Sequence, residues 1–251
     1  MPVALITGAS SGIGLELARV FAREGYELVL TARNGGRLEQ IAAELKPAIV
    51  RVIAKDLALP EAPLEIHREV SNVDVLVNNA GFGVFGKFEG TPLSEELAMM
   101  QVNMTALVML TKLYLPGMIA ARNGKILNVA STAAFQPGPL MAIYYATKAF
   151  VLSFSEAIGN ELEGAGVTVT ALCPGPTASG FQDRGKMQNS GLVKGKKIMD
   201  ARTVAEAGYR GMMAGKSIVI PGVKNKVMAQ SVRFSPRSMV TKLVRSMQKE
   251  I

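Results

Sequence analysis

The chain has 251 residues, 49% of them hydrophobic, and a formal net charge of +8. Its one cysteine, Cys173, excludes an internal disulfide. With His67 as the only histidine, a transition-metal site or a His-based nucleophile pair has almost no residues to draw on. The length suits one α/β domain of about 250 residues and no Pro/Gly/Ser linker divides it, so residues 1–251 are expected to form a single domain. Apolar windows are interrupted too often for the ~20 unbroken residues of a membrane span. Met1 to Ile6 lacks a basic n-region and a cleavage site, which reads as a cytoplasmic protein.

In chain order, short β-branched runs at residues 3–7, 27–31, 48–54, 73–77, 125–130, 167–172 and 217–220 alternate with helix-like segments. Several runs are apolar on both parities, as strands covered on two faces require, so the expected fold is a seven-stranded parallel sheet, doubly wound. Right-handed crossovers then place ligands outside the carboxyl ends of the strands. Cys173 ends the sixth run and reads as a packing residue, and His67 lies on a charged, exposed helix.

The first strand runs into Thr7-Gly8-Ala9-Ser10-Ser11-Gly12-Ile13-Gly14, and a helical pattern from Leu15 to Arg23 follows at once. Glycines there let the backbone turn and approach a pyrophosphate, which the helix N-terminus meets with unpaired N–H groups. Further on, Tyr144 and Lys148 lie four residues apart in an apolar, helix-favouring run and so share one helical face. A nearby ammonium favours phenolate over phenol, so Tyr144 is expected to titrate below the ~10 of a free tyrosine. Tyr145 has no lysine at its own i+4 position and is expected to point elsewhere.

Three residues separate the first two glycines of that turn, a spacing that resembles the short-chain dehydrogenase/reductase family. Asn78-Asn79-Ala80-Gly81 after the fourth strand, Asn103 in the next long helix, Ser131 at the end of the fifth strand, Tyr144, Lys148 and Pro174-Gly175 continue the resemblance over residues 3 to about 180. The resemblance implies a Rossmann fold and hydride transfer between a nicotinamide and a carbonyl/alcohol pair, with a ketone or 3-oxoacyl reductase favoured. It gives Tyr144 the proton, Ser131 a hydrogen bond to the substrate oxygen, Lys148 the nicotinamide ribose, and Asn103 a relay water. The cofactor is expected to contact Gly8, Ser10, Ser11, Gly12, Ile13, Gly14, Arg33, Asn34, Asp56, Leu57, Asn79, Ala80, Gly81, Tyr144, Lys148, Pro174, Gly175 and Thr177. A dinucleotide-binding sensor with little turnover is the alternative.

Cofactor choice turns on Ala32-Arg33-Asn34. Ala32 cannot accept bonds from a ribose or repel a phosphate, whereas Arg33 offers a planar fork, so NADP(H) is favoured over NAD(H). Ser11 is not basic, which leaves the 2′-phosphate to Arg33 with Ser10 and Asn34.

Residues 175–200 are too long for an ordinary connection and read as a substrate lid. Lys186, Lys194, Lys196 and Lys197 there suit an anionic or carrier-linked substrate, and Met187, Leu192, Val193, Ile198 and Met199 an apolar tail. Residues 224–251 form a C-terminal extension. Its Ser235-Pro236 reads as a cap and first-turn proline opening a helix with Met239, Val240, Leu243, Val244, Met247 and Ile251 in one stripe. Residues 181–251 carry 15 basic and 4 acidic groups, against 13 and 16 in residues 1–180. Too few aromatics accompany that charge for nucleic acid, so peripheral membrane contact through the C-terminal helix is the sharper expectation. The family habit of pairing the helices near 92–118 and 142–161 implies a homodimer or homotetramer.

Overall fold

The computed structural model describes residues 1–180 and 198–248. Six strands, β1 (Val3–Thr7), β2 (Glu27–Ala32), β3 (Val50–Ala54), β4 (Val75–Asn78), β5 (Gly124–Val129) and β6 (Val167–Leu172), lie parallel with a last short strand, β9 (Ile218–Val219). Two further two-residue strands, β7 (Thr177–Ala178) and β8 (Met199–Asp200), pair with each other apart from the sheet. The seven-stranded order is β3-β2-β1-β4-β5-β6-β9. The chain therefore leaves β1 in one direction and returns at β4 in the other, which opens a crevice between their carboxyl ends.

Ala4, Leu5 and Ile6 are all fully buried, because helices cover both faces of the sheet. On one face, Leu17, Ala18 and Phe21 of α1 (Gly12–Arg23), Leu38 and Ile41 of α2 (Gly35–Glu44), and Val204, Ala205 and Met212 of a later helix pack on Ala4, Ile6, Leu28 and Leu30. On the other, Ile66 of α3 (Ala62–Glu69) joins Leu5, Val29, Leu76 and Ile126. Each such side chain taken from water stabilises the fold by about 1.5–3 kcal/mol before entropy is counted.

A continuous helical stretch follows β4: α4 (Leu93–Met100), a π-turn (Gln101–Thr105) and α5 (Ala106–Ala120). By length and composition residues 93–120 would suffice to cross a bilayer, a candidate the interrupted apolar windows did not bring out. Its Ala106, Leu110, Tyr114 and Met118 are instead buried against the sheet, as in a core helix. After β5 comes α6 (Ala142–Glu161), and after β8 comes α7 (Ala201–Met213), the later helix named above.

The C-terminal part folds as α8 (Val223–Ser231), a 3₁₀ turn (Val232–Phe234) and α9 (Arg237–Gln248). The expected stripe on α9 is divided. Val240 and Val244 are buried against Ala133, Met141 and Tyr145, while Met239 and Leu243 remain exposed. Ser235 does not cap the helix; its hydroxyl donates back to the Ser231 carbonyl at 3.0 Å. Ile251 lies outside the described residues, as do Lys186, Met187, Leu192, Val193, Lys194, Lys196 and Lys197 of the expected lid.

Candidate active site

The crevice at the carboxyl ends of the strands is a cleft of about 1150 Å³. Every residue expected at the site from the sequence lines it, except Gly14 and Asn103. Gly14 serves packing: a Cβ there would come within 2.4 Å of the Gly8 carbonyl oxygen, so α1 approaches the β1 turn only because the side chain is missing. Gly8 and Gly12 hold φ of 66° and 55°, the left-handed conformation that turns the strand into the helix. Ser11 flanks the helix without a side-chain cap, and the first turn holds no acidic residue, so the N–H groups of the α1 N-terminus keep their positive character at the cleft.

A threonine the sequence reading did not single out fixes this turn to β4. The Thr7 hydroxyl accepts from the Asn79 and Ala80 N–H groups, both at 2.9 Å, and donates to the Val77 carbonyl at 3.2 Å. Asn79 answers with its carboxamide, which donates to the Thr7 carbonyl at 2.8 Å and the Gly8 carbonyl at 3.2 Å. Asn79 thus holds the glycine turn in place rather than facing a ligand with its amide nitrogen. At the other end of the cleft Arg33 is exposed and makes no ion pair among the described residues. Asn34 is partly withdrawn from a ligand role, since its Oδ1 accepts from the Arg37 N–H at 2.9 Å and caps α2. Asp56 similarly uses Oδ1 to accept from the Ala58 N–H at 3.0 Å.

The chemistry-bearing groups meet on α6. Lys148 is buried, and its Nζ donates to the Val129 carbonyl at 2.7 Å, 5.9 Å from the centre of the Tyr144 ring. The one-turn spacing sets the ammonium over the Tyr144 ring. The expected acidification of Tyr144 is absent: burial holds its hydroxyl above the usual tyrosine range, opposed in part by a hydrogen bond with Ser131 and reinforced by Tyr145. Burial acts the opposite way on Lys148, whose ammonium is pulled down to about 8, with nearby Cys173 working against the shift. At neutral pH the site pairs a protonated phenol with a cation close to its titration point.

Ser131 leads from β5 into a 3₁₀ turn (Thr132–Phe135), its Oγ accepting from the Ala133 N–H at 3.1 Å and donating to the Pro174 carbonyl at 3.4 Å. Those contacts, with the Tyr144 bond, fix the hydroxyl in the cleft wall. Asn103, at the centre of the π-turn, is buried with its carboxamide engaged on three sides. It accepts from the Phe82 N–H at 3.1 Å and donates to the Phe82 carbonyl at 3.0 Å and Thr147 Oγ1 at 3.1 Å. Thr147 donates to the Tyr144 carbonyl at 2.7 Å. Asn103 thus clamps the loop after Gly81 to the helix that bears Tyr144.

Tyr145 also departs from expectation. It lines the cleft, meets Tyr144 edge-on with ring centres 6.0 Å apart, and its hydroxyl accepts from Gln248 Nε2 at 2.6 Å. Gly222, Val223, Lys224, Asn225, Met228 and Met247 of the C-terminal part complete that wall, together with Ile198 and Met199. Ile198 and Met199 belong to the segment read from the sequence as a lid, and the signal for the C-terminal residues was the extra length after the last strand. Among the described residues no group of three His, Cys, Asp or Glu side chains converges on a metal site.

A glycine turn at an uncapped helix N-terminus, an exposed guanidinium beyond β2 with no ion pair among the described residues and a Tyr/Ser/Lys trio across the cleft together define a dinucleotide-binding oxidoreductase site. The model of the short chain dehydrogenase family matches residues 2–189, and the chain belongs to that family of nicotinamide-dependent oxidoreductases. It is 38% identical over 180 residues to a very-long-chain 3-oxoacyl-CoA reductase of Phaeosphaeria nodorum, covering 67% of this chain and 53% of that protein. The chain thus spans about half the length of that relative. It is 30% identical to the ketoacyl reductase HetN of Nostoc over 96% of this chain and 82% of the other. Among solved structures, a short-chain dehydrogenase from Sphingobium yanoikuyae in complex with NADPH superposes with a TM-score of 0.85 at 31% identity, over 95% of each chain.

Proposed function

We propose that the chain is an NADP(H)-dependent reductase of ketone or 3-oxoacyl carbonyls. The observation that carries the reading is the convergence of Tyr144, Ser131 and Lys148 on one wall of a cleft whose far end holds the exposed Arg33. A bound nicotinamide supplies or accepts the hydride. Arg33 binds the 2′-phosphate with its planar fork, and the α1 N-terminus takes the pyrophosphate. Ser131 turns its one hydroxyl proton from the long 3.4 Å bond to the Pro174 carbonyl onto the substrate oxygen and holds that oxygen against Tyr144. Tyr144, protonated at neutral pH because burial disfavours its anion, releases its proton to that oxygen as negative charge develops there. Lys148 steadies the phenolate that remains.

NADPH oxidation across a panel of carbonyl compounds tests this reading. Tyr144→Phe should lower turnover by about 10²–10⁴-fold while NADPH still quenches or shifts fluorescence on binding. Full activity in that variant overturns the proton-donor assignment. Tight NADPH binding with no turnover of any carbonyl points instead to a sensor.

A further inference from the structure

We propose that the outer face of the α8–α9 hairpin, whose Lys224 and Met247 also border the cleft, is a docking face for an anionic lipid bilayer. Lys224, Lys226, Arg233, Arg237, Lys242 and Arg245 fall between residues 221 and 248, where there is no Asp or Glu. None of the six makes an ion pair among the described residues, although exposed cations elsewhere in the chain, such as Arg19, Arg37 and Arg202, do. Large apolar side chains stand exposed among them. Phe234 is 88% exposed at the turn between the helices, and Met239 and Leu243 are about three-fifths exposed on α9.

Helical spacing orders these groups. At about 100° per residue, Val240, Val244 and Gln248 form the buried face of α9, and Met239, Leu243 and Met247 form a second stripe directly beside it. Lys242 and Arg245 lie on the side beyond that second stripe. A helix with an inward face docked on protein, an apolar stripe left in water and cations flanking it has the amphipathic arrangement that lies in a lipid headgroup region. Lysine and arginine stems reach past the apolar stripe to phosphate level. The charge complementarity is with an anionic surface, since the patch carries one sign only. Met247, at the end of the exposed stripe, also lines the cleft. Resting on the reductase reading, this continuity gives a bilayer-dissolved, amphiphilic carbonyl compound a path into the site.

Co-sedimentation of the full chain with vesicles is the test, comparing phosphatidylglycerol mixed into phosphatidylcholine with phosphatidylcholine alone. The protein should pellet with the anionic vesicles only and be released near 1 M salt, where the screening length is about 3 Å. Replacing Arg237, Lys242 and Arg245 together by Gln should weaken partitioning on the order of a hundredfold, at about fivefold per cation. Phe234→Ser with Met239→Ser and Leu243→Ser should abolish it. Circular dichroism confirms folding, and none of the six substituted residues, Phe234, Arg237, Met239, Lys242, Leu243 and Arg245, lines the cleft. Equal pelleting of wild type and both variants, or no pelleting of the wild type, overturns the proposal. So does a drop from dimer to monomer mass on removing the three apolar side chains without any vesicle binding, because a second copy then covers the face. Turnover separates the two readings: vesicle binding with no reduction of any ketone leaves docking standing and removes the reductase assignment.

Discussion

Lys148 is a buried cation on the cleft wall, bonded to one carbonyl and pulled down to about 8 by burial. Its charge is retained below that value and lost above it, so reduction rates that depend on the ammonium should be level near pH 7 and fall as pH rises through about 8. A kcat/KM profile for carbonyl reduction checks this, and the fall should vanish in Lys148→Met, whose residual rate is low at every pH. Arg33 makes a separate prediction. Charge-assisted hydrogen bonds contribute about 1.5–3 kcal/mol, so Arg33→Ala should raise the KM for NADPH by about 10- to 100-fold and leave that for NADH nearly unchanged. Equal losses for both cofactors would mean that Arg33 stacks on adenine instead. At this scale the sequence identified which residues meet in the cleft but misjudged what Lys148 does to Tyr144. Four-residue spacing tells that two side chains share a face; the position of Nζ over the ring and the depth of burial come from β5 and the loop after Gly81, far away in the chain.

The π-turn at Gln101–Thr105 shows the same limit for a whole element. Its residues read as ordinary helix, and only the buried backbone of Phe82 gives Asn103 a reason to leave the α register. Asn103→Ala would remove three buried hydrogen bonds, two to the Phe82 backbone and one to Thr147, at about 0.5–1.5 kcal/mol each. Urea unfolding should therefore show a loss of roughly 2–4 kcal/mol, together with weaker turnover as the loop no longer holds α6. The seven strands, by contrast, were legible to within two or three residues, because each is a short apolar run bounded by polar turns. Helix α9 was visible as a helix, yet its inward face was not, since a stripe of six apolar positions can be cut in two ways. The Gln248 bond to Tyr145, over a separation of 103 residues, settles it. Val244→Asp should undock α9 and raise the KM for soluble carbonyl substrates several-fold, with much less effect on the KM for NADPH, whose expected contacts lie on the earlier elements. Parallel rises in both constants would place α9 over the cofactor as well.

Buried ionisable groups of opposite habit set the stability of the whole molecule in alkali. Lys148 titrates near 8 when folded and 10.5 when free, so above pH 8 the unfolded chain holds a proton that the folded chain has released, and stability rises with pH. Burial pushes the Cys173 thiol from 9.0 up to about 12, so above pH 9 the folded chain keeps a proton that the unfolded chain loses. The two slopes then cancel until pH 10, where the tyrosines add to the Cys173 effect: Tyr114, Tyr144, Tyr145 and Tyr209 are all held above their ordinary value by burial. Stability should accordingly climb by about 1.4 kcal/mol from pH 8 to 9, stay level to about pH 10 and fall beyond it. In Lys148→Met the climb should disappear and the decline should begin at pH 9, while at pH 7 the variant should be the more stable protein, because it no longer buries a charge. Denaturant melts of wild type and variant across that range measure both curves. A wild type that loses stability steadily from pH 8 would mean that water reaches Lys148 in solution and that its ammonium is not the buried cation on which the site depends.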